Sequence, residues 1–476
     1  MTFLLKPLLA ASRPSEQWAL GSLSLSMLLA SLGTSIANVA LPTLAQAFNA
    51  SFQQVQWVVL AYLLAITTLI VSVGRLGDLM GRRRLLLAGT FLFTVASVLC
   101  GVAPTLALLI AARAAQGLGA AIMMALTIAF VGETVPKKRT GSAMGLLGTM
   151  SAIGTALGPS LGGILIAGFG WPAIFFVSVP LGILTLLLAH RSLPADLPRT
   201  TDHPRFDHAG TLLLALTLGA YALAVTTGRG SFSLINVVLL LTAFFGLGLF
   251  ARVEARAASP LLPLAMFRDP VLSAGFAMST LVTTVVMATL VVGPFYLSGA
   301  LALDAARIGL VMSTGPIVAA LTGVPAGRLV DRFGAYRMTM AGLMAMAAGS
   351  STLPTVPIRF GAPGYIAPLV VITAGYALFQ AANNTAVMAD LAPDRRGVTS
   401  GMLNLSRNLG LITGASVMGA LFALGSGTAN MLTARPEAVA AGMRLTFGAA
   451  AVLIAGALAI ASASRALARR AVPAGA

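Results

Sequence analysis

The chain has 476 residues, of which 58% are apolar and 9% are charged, and its mean hydropathy is +0.93. Soluble domains are roughly 45–50% apolar and about 25% charged, so a water-soluble enzyme, a secreted protein and a conventional nucleic-acid binder are excluded. The 30 Lys and Arg residues outnumber the 13 Asp and Glu residues and give a net charge of +17, which we attribute to membrane topology and not to a nucleic-acid partner. The sequence therefore predicts a protein whose solvent is the lipid bilayer.

Fourteen apolar runs are long enough to cross a membrane as helices, which takes about 20 residues. None has the alternating pattern of a lipid-facing barrel strand. We therefore predict an all-α membrane protein with fourteen transmembrane helices, the first of which is retained and is not a cleaved signal peptide. The predicted spans are 17–41, 56–76, 85–102, 106–130, 141–167, 171–188, 210–227, 232–252, 272–297, 306–326, 336–354, 363–388, 398–424 and 442–462.

Basic residues are distributed unevenly between the connections. If the N-terminus is cytoplasmic, the connections on that side receive most of the 30 Lys and Arg residues, including Arg82–Arg84 and Lys137–Arg139. The other side receives few, among them Arg307 and Arg359. Because cytoplasmic loops carry the excess of Lys and Arg, we expect both termini in the cytoplasm and the chain in the cell (cytoplasmic or inner) membrane.

An internal repeat divides the chain. The segments GRLGDLMGRRRLLLAG (74–89) and GRLVDRFGAYRMTMAG (327–342) are identical at half of their aligned positions. The first copy follows the second span and the second copy follows the tenth, so two helices are inserted between two six-helix halves. We predict an N-terminal six-helix bundle over 1–209, two inserted linker helices with a cytoplasmic connection over 210–269, and a C-terminal six-helix bundle over 270–476.

These loops and five further motifs, taken in order, resemble the major facilitator superfamily over nearly the whole chain. The motifs RAAQGLGAA in the fourth span and GTALGPSLGG in the fifth are accompanied by NVALPTLAQAF, FFVSVPLG and RNLGLITGASVMGALF in the first, sixth and thirteenth. They are similar to the fourteen-helix drug:proton antiporter branch. The resemblance implies a secondary active transporter that exports small amphipathic compounds of the multidrug type by alternating access, with protons as the coupling ion.

Enzymatic motifs are absent from the sequence. It contains no Walker-type phosphate loop and no metal-spaced His/Cys cluster. We therefore expect no catalytic residue, no cofactor and no metal site. The expected partners are a small-molecule substrate, protons and the lipid bilayer.

Glycines and charges in the two copies of the repeated loop indicate a latch at the ends of paired helices. Glycines permit tight turns, and an acid at the start of the next helix meets a favourable dipole. Such a cluster can hold two helices together in one state and release them in another, and a plain positive-inside loop is the alternative. The candidate gating residues are Gly74, Arg75, Gly77, Asp78, Gly81, Arg82 and Arg83 in the first copy, and Arg328, Asp331, Gly334 and Arg337 in the second.

Arg113 is the most informative single residue. It lies about 10 Å along the fourth helix, where a charge is costly and usually marks a substrate or ion pathway. Snorkelling to the membrane interface is the alternative. Arg407 in the thirteenth span is a second such cation. The candidate residues of the transport pathway are Asn38, Arg113, Gln116, Gly117, Tyr296, Gln380, Asn383, Asn384, Asn404 and Arg407.

The fifth span carries a glycine motif made of Gly154, Gly158, Pro159, Gly162 and Gly163. A spacing of four residues places three of these glycines on one helix face, where a neighbouring helix can approach closely. Pro159 removes one helical hydrogen bond and permits a bend. The resemblance associates this motif with exporters, and helix packing without a part in transport is the alternative.

The sequence departs from the antiporter branch at position 33. That branch usually has an acidic residue just before the segment that matches Thr34–Pro42, and here the residue is Gly33. A pocket without a carboxylate favours a neutral or anionic substrate. The missing acid therefore suggests a facilitator or anion-coupled transporter of a neutral or anionic metabolite as an alternative function. A non-transporting membrane receptor or scaffold is an alternative from another class, and the paired loops and intramembrane arginines argue against it. The remaining candidates for the proton-binding group are Asp78, Asp331, Asp390 and Asp304, near the helix ends.

Overall fold

A computed structural model of the chain describes residues 14–70, 72–134, 140–194, 196, 208–226, 233–256, 264–388, 396–427 and 434–471. Each predicted span corresponds to a helix or a broken helix. The helices are α1 (Pro14–Ala47), α2 (Phe52–Ile70 with Val73–Met80), α3 (Arg82–Gly101), α4 (Leu106–Thr134), α5 (Thr140–Phe169), α6 (Ala173–Phe176 with Ser178–Ser192), α7 (His208–Thr226), α8 (Leu234–Glu254), α9 (Pro270–Gly299), α10 (Ala305–Phe333), α11 (Ala335–Thr352), α12 (Gly361–Met388), α13 (Arg396–Thr413, the π-helical turn Gly414–Met418, and Gly419–Ser426) and α14 (Pro436–Ala471).

The prediction of an all-α membrane fold is confirmed. Within the described residues, thirteen helices are long and apolar enough to cross a membrane. The remaining one, α11, has 18 residues and packs along α12 and α14. Several helices extend beyond the predicted apolar runs, because polar residues continue them past the hydrocarbon layer. Local capping also sets helix starts: Asp269 accepts hydrogen bonds from the first turn of α9, and Asp304 does so for α10.

The connections alternate between two ends of the molecule, since consecutive helices are antiparallel. We call one of them the basic end, where α2 meets α3 near Arg82–Arg84 and α10 meets α11 near Arg337. We call the other the opposite end, where α1 meets α2 and α9 meets α10.

Helices α1–α6 and α9–α14 pack in the same pattern. In the first group α1 packs along α4, α5 and α6, and α3 packs along α4 and α6. In the second group α9 packs along α12, α13 and α14, and α11 packs along α12 and α14. Every one of these contacts recurs eight helices later, as a duplication with two inserted helices requires. The two most buried helices, α1 and α9, contact each other at the centre.

The inserted hairpin α7–α8 lies across the seam between α2 and α13. Trp57 Nε1 of α2 donates to Thr226 Oγ1 over 3.1 Å at one end of α7, and the Ser72 and Thr211 hydroxyls are 2.8 Å apart at the other. Between them, Tyr221 donates to Thr413 of α13 over 3.2 Å. Helix α8 packs on α7 and is otherwise apolar and mostly exposed, which is the pattern of a lipid-facing helix.

The buried apolar residues of the described part form two clusters. The larger one joins the opposite-end half of α1–α6 to the core of α9–α14. Its members in α1 lie between Leu32 and Ala45. The smaller one lies in the basic-end half of α1–α6, and its members belong to those six helices or, in the case of Leu193, directly follow α6. The two halves of the molecule thus share a core at the opposite end and have separate cores at the basic end.

Candidate functional site

Arg113 is fully buried at a junction of three helices. Its Nε donates to the carbonyl of Val58 in α2 over 2.9 Å, and one Nη donates to the carbonyl of Gly33 in α1 over 3.0 Å. The other Nη donates to Gln116 Oε1 on the next turn of α4 over 2.5 Å. Gln116 in turn donates to Ser97 of α3 over 2.8 Å. The charge is therefore held by neutral oxygens, and none of the described carboxylates pairs with it.

Tyr62 fills the space beside this guanidinium. The Arg113 Cζ lies 4.1 Å from the centre of the Tyr62 ring, within the range of a cation–π contact. The Tyr62 hydroxyl donates to the carbonyl of Ala30 over 2.7 Å. A Cβ atom on Gly33 would lie 2.8 Å from that hydroxyl oxygen. The tyrosine thus occupies the space that a side chain at position 33 would take.

Gly117, predicted to line the pathway, lies where α4 crosses α2. A Cβ at this position would meet the carbonyl oxygen of Tyr62 at 2.5 Å and Ala65 at 2.9 Å. The glycine therefore permits the close packing that brings Arg113 within reach of Val58. Asn38, on α1, is 1% exposed and donates to the Thr34 and Ser35 carbonyls, while its Oδ1 has no partner in the described protein.

The sequence analysis did not single out Gln56, which joins the two halves. Its Nε2 donates to the carbonyl of Ala415 in the π-helical turn of α13 over 2.8 Å. Gly419 lies directly beside the Gln56 amide and leaves no room for a side chain at that position. A π-helical turn frees backbone groups from the regular ladder and is frequent at functional sites. The run FQQVQWVVL, with three glutamines in an apolar span, carried the signal for such a contact.

Aromatic rings and glycines complete the seam at the opposite end. The Phe52 ring of α2 contacts Phe295 of α9 and Phe422 of α13, with centroid distances of 4.6 and 5.4 Å. On the other side of the molecule, a Cβ on Gly163 of α5 would lie 2.8 Å from the Cα of Gly309 in α10. These contacts between the halves lie, like Gln56–Ala415, in the part of the molecule nearer the opposite end.

The glycines of the fifth helix face two different neighbours. Gly154, Gly158 and Gly162 all abut α1, where Ser31 and Ser151 also exchange a hydrogen bond of 2.7 Å. Gly163 and the carbonyl of Pro159 abut Gly309 of α10 instead. The motif therefore packs α5 within its own half on one face and against the other half on the adjacent face.

The first copy of the repeated loop packs within its own half. Its turn is at Gly81, which has a φ of +92°, a value that glycine adopts readily. Asp196, which the sequence analysis missed, caps α3 there: its carboxylate accepts from Arg83 N over 2.8 Å and from Arg84 N over 3.3 Å. Gly77 packs against Leu126 of α4. The surroundings of Gly74 and the side chains of Arg75 and Asp78 are outside the described part of the structure, and so is the whole of Asp390.

The second copy is exposed. Arg328, Asp331 and Arg337 are all exposed, and none of them forms an ion pair with another described residue. Gly334 repeats the geometry of Gly81, with a φ of +85°, but no side chain caps the helix that follows it. In the described part of the chain, the cap contributed by Asp196 has no counterpart in the second half.

The predicted pathway residues of the second half are spread over three helices. Asn383 of α12 is buried and donates to the carbonyl of Gly275 in α9 over 3.1 Å. Tyr296 stacks on Tyr365 with a centroid distance of 5.9 Å and lines a cavity at the opposite end. The others are half-buried and sit on α12 and α13: Gln380, Asn384, Asn404 and Arg407.

The sequence of the chain matches that of a known protein family. The Major Facilitator Superfamily pattern matches residues 23–415 and, in a second match, 274–474. The chain belongs to the Major Facilitator Superfamily. It is accordingly a multi-pass membrane protein and a transporter of small molecules rather than an enzyme.

This chain is similar in sequence to two bacterial proteins and in fold to a third. It is 31% identical over 401 residues to the riboflavin transporter RibZ of Clostridioides difficile (strain 630), covering 84% of this chain and 86% of that one. It is 34% identical over 391 residues to the multidrug resistance protein Stp of Mycobacterium tuberculosis (strain CDC 1551 / Oshkosh), covering 82% and 72%. Its fold superposes on a bacterial homolog of the human lysosomal transporter Spinster with a TM-score of 0.70 at 16% identity, covering 96% and 98% of the two chains.

Proposed function

We propose that this superfamily member exports small, amphipathic, neutral or anionic compounds by alternating access, and that it belongs to the fourteen-helix drug:proton antiporter branch. The observation that carries the proposal is the one-sided closure of the two halves, which meet through Gln56 and Ala415 near the opposite end and have separate cores at the basic end. Relatives described as a multidrug resistance protein and a riboflavin transporter support the substrate class.

The closure explains how access would alternate. The predicted bundles 1–209 and 270–476 are the two moving bodies, and the insertion 210–269 connects them. In this structure the contacts that Phe52, Gln56 and Gly163 make with the second half close the opposite end. Breaking these contacts while the basic ends approach one another would expose the centre to the opposite side. The repeated loops, in which Asp331 forms no ion pair with a described residue, are placed to form the contacts of the other state.

The charge of Arg113 favours neutral or anionic substrates. Since the described carboxylates leave this buried guanidinium unpaired, its field disfavours a permanent cation in the N-terminal half of the pathway. Neutral amides of Asn38, Gln380 and Asn404 add hydrogen-bonding groups without charge.

Proton coupling is inherited from the antiporter branch and requires a titrating group. The candidates are Asp78, Asp331, Asp390 and Asp304. Of these, Asp304 caps α10 and pairs with Arg307 over 3.4 Å, so it is engaged in holding a helix start. The hydrogen bond between Arg113 and the carbonyl of Gly33 favours a second candidate function, facilitated or anion-coupled transport, because the usual acid is replaced there.

The basic end is proposed to face the cytoplasm. It carries Arg82–Arg84, Arg328 and Arg337, and positive residues are retained on the cytoplasmic side. Both termini would then be cytoplasmic in a bacterial inner membrane. Reporter fusions at each terminus test this orientation, which fails if either reporter is active only outside the cytoplasm.

The decisive experiment is transport by the purified chain in proteoliposomes with an imposed pH gradient. Wild type, Arg113→Ala and Asp78→Asn are compared on an anionic dye, a neutral dye and a quaternary ammonium dye. We expect transport of the anionic and neutral dyes that rises with the gradient and is lost in both variants.

Each other outcome removes a specific part of the proposal. Transport that ignores the gradient replaces antiport by facilitated or anion-coupled flux. Efflux of the quaternary ammonium dye that survives Arg113→Ala overturns the assignment of substrate charge. Absence of flux for every compound tested favours a receptor or scaffold.

A further inference from the structure

The second half of the chain contains a cavity that has no part in the seam between the halves. It lies at the opposite end, between α9, the start of α14 and the connection from α11 to α12, and its volume is about 340 Å³. Tyr296 closes one side, and Leu353, Val356 and Met443 supply apolar walls. Ligand pockets in proteins have volumes of about 300–1,000 Å³, so the cavity is large enough for a small polar group.

Two opposite charges line this cavity. Glu437 and Arg444 are seven residues apart on α14, which is two helical turns and about 10.5 Å along one face. Side chains on a helix lean toward its N-terminus, so Arg444 leans toward the end that carries Glu437. The ion pairs among the described residues are Arg84–Asp196 and Arg307–Asp304, and neither includes these two side chains. Both charges are exposed and available to a ligand.

An apolar groove adjoins the charged cavity. It lies between α11 and α12, has a volume of about 560 Å³ and is lined by residues such as Ala348, Phe360, Ala367 and Val371. Thr355, Val356 and Pro357 line both spaces, so the groove continues the cavity along the membrane-facing surface. Exposed apolar surface of this kind faces acyl chains when the protein is in a bilayer.

The depth of the cavity in the membrane suits a lipid headgroup. Helix α14 has 36 residues and is therefore about 54 Å long, whereas the hydrocarbon core is about 30 Å thick. Its ends must protrude into the headgroup regions. Glu437 is in the first turn of the helix, and Arg444 is two turns further in.

We propose that this cavity and groove bind one zwitterionic phospholipid with a primary ammonium headgroup, such as phosphatidylethanolamine. Arg444 binds the phosphate through charge-assisted hydrogen bonds, Glu437 accepts from the ammonium group, and one acyl chain lies in the groove between α11 and α12. A quaternary headgroup cannot donate a hydrogen bond to Glu437, and an anionic glycerol headgroup offers that carboxylate neutral hydroxyls in place of a cationic donor, so both pair with it more weakly. The site therefore selects the aminophospholipid over both.

Native mass spectrometry of the purified full chain tests the site. The protein is equilibrated with equal amounts of phosphatidylethanolamine, phosphatidylcholine and phosphatidylglycerol, and retained lipid is counted. We expect the wild type to retain phosphatidylethanolamine about threefold over the others, a modest preference because the charge pair with Glu437 is exposed. Arg444→Gln lowers the retention of all three lipids, and Glu437→Gln abolishes the preference for phosphatidylethanolamine alone.

Matched variants separate this site from general lipid adhesion. Arg307→Gln removes an exposed charge at the same end but outside the cavity, and should leave lipid retention unchanged. Ala367→Trp fills the groove and should lower retention of the diacyl lipid, while glycerophosphoethanolamine, which has no acyl chain, binds neither protein measurably. Melting curves confirm that all variants are folded. Equal retention of the three lipids by the wild type, or unchanged retention in Arg444→Gln and Ala367→Trp, overturns the proposal.

Discussion

The guanidinium of Arg113 donates a hydrogen bond to the backbone carbonyl of Gly33 over 3.0 Å. A carboxylate at position 33 would be expected to neutralise the arginine, but the glycine offers only a neutral oxygen and leaves room for Tyr62. Burying a charge in hydrocarbon is costly, and its retention usually marks function. The contact therefore links the glycine at position 33, where the resemblance to the antiporter branch predicts an acid, to the positive charge that Arg113 places in the proposed pathway.

Arg113→Lys should reduce transport at least tenfold although it conserves the charge. Arginine reaches Val58, Gly33 and Gln116 simultaneously through its planar fork, whereas lysine has a single ammonium group on a flexible stem. Initial rates in proteoliposomes of matched protein content measure the effect. Arg359→Lys is the control, because Arg359 is exposed in the connection before α12 and the variant should retain most activity. Equal rates for both variants would contradict a special role for Arg113.

Introducing an acid beside Arg113 should make transport depend more strongly on the pH gradient. Gly33→Asp alone meets the Tyr62 hydroxyl, so the double variant Gly33→Asp with Tyr62→Phe is the better-packed test. The new carboxylate would be stabilised by the guanidinium and could exchange a proton when substrate binds. The ratio of rates with and without a gradient is measured against Tyr62→Phe alone. A ratio unchanged from that control would show that position 33 does not govern coupling.

The sequence predicts the membrane helices well because their signal is local, as the one-to-one match of spans and helices illustrates. Side-chain partners that are distant in sequence carry no such signal. Gln56 meets Ala415, and Asp196 caps a helix more than a hundred residues earlier, and neither pairing follows from a motif. Arg113 could be identified from its cost in the bilayer, but its neutral partners depend on how three helices cross.

Gln56→Ala should weaken the closure of the opposite end. One buried hydrogen bond contributes about 1 kcal/mol, so the population open to the opposite side should rise about fivefold. Because Cys100 is the only cysteine, a Cys100→Ser background allows Ser416→Cys, within the π-helical turn, to report access by a membrane-impermeant maleimide. Gln54→Ala is the matched control, since Gln54 is exposed and bonds only to Ser51. Equal labelling in both variants would remove Gln56 from the gate.

Asp196→Asn should loosen the basic end of the first half without unfolding the protein. The carboxylate accepts from two backbone N–H groups of α3, one on each oxygen. The asparagine amide keeps one of these two acceptors, and the loss of one hydrogen bond costs about 1 kcal/mol. Hydrogen exchange should therefore increase in the first turn of α3. Asp331→Asn, whose carboxylate is exposed and unpaired with the described residues, is expected to leave exchange at α11 unchanged. The opposite result, protection lost at α11 only, would reverse the asymmetry between the two loops.

Gly154→Val should destabilise the first half by about 1–3 kcal/mol, the usual cost of overpacking. Gly154 abuts the backbone of α1 at Leu28 and Leu32, so a larger side chain must push the two helices apart. Gly148→Val on the same helix is the control, because no atom lies within 4 Å of the position that its Cβ would occupy. The buried thiol of Cys100 provides the measurement: a fluorogenic maleimide reacts with it only on unfolding. The melting temperature should fall for Gly154→Val and stay constant for Gly148→Val, and equal values would show that the glycine motif is not required for packing.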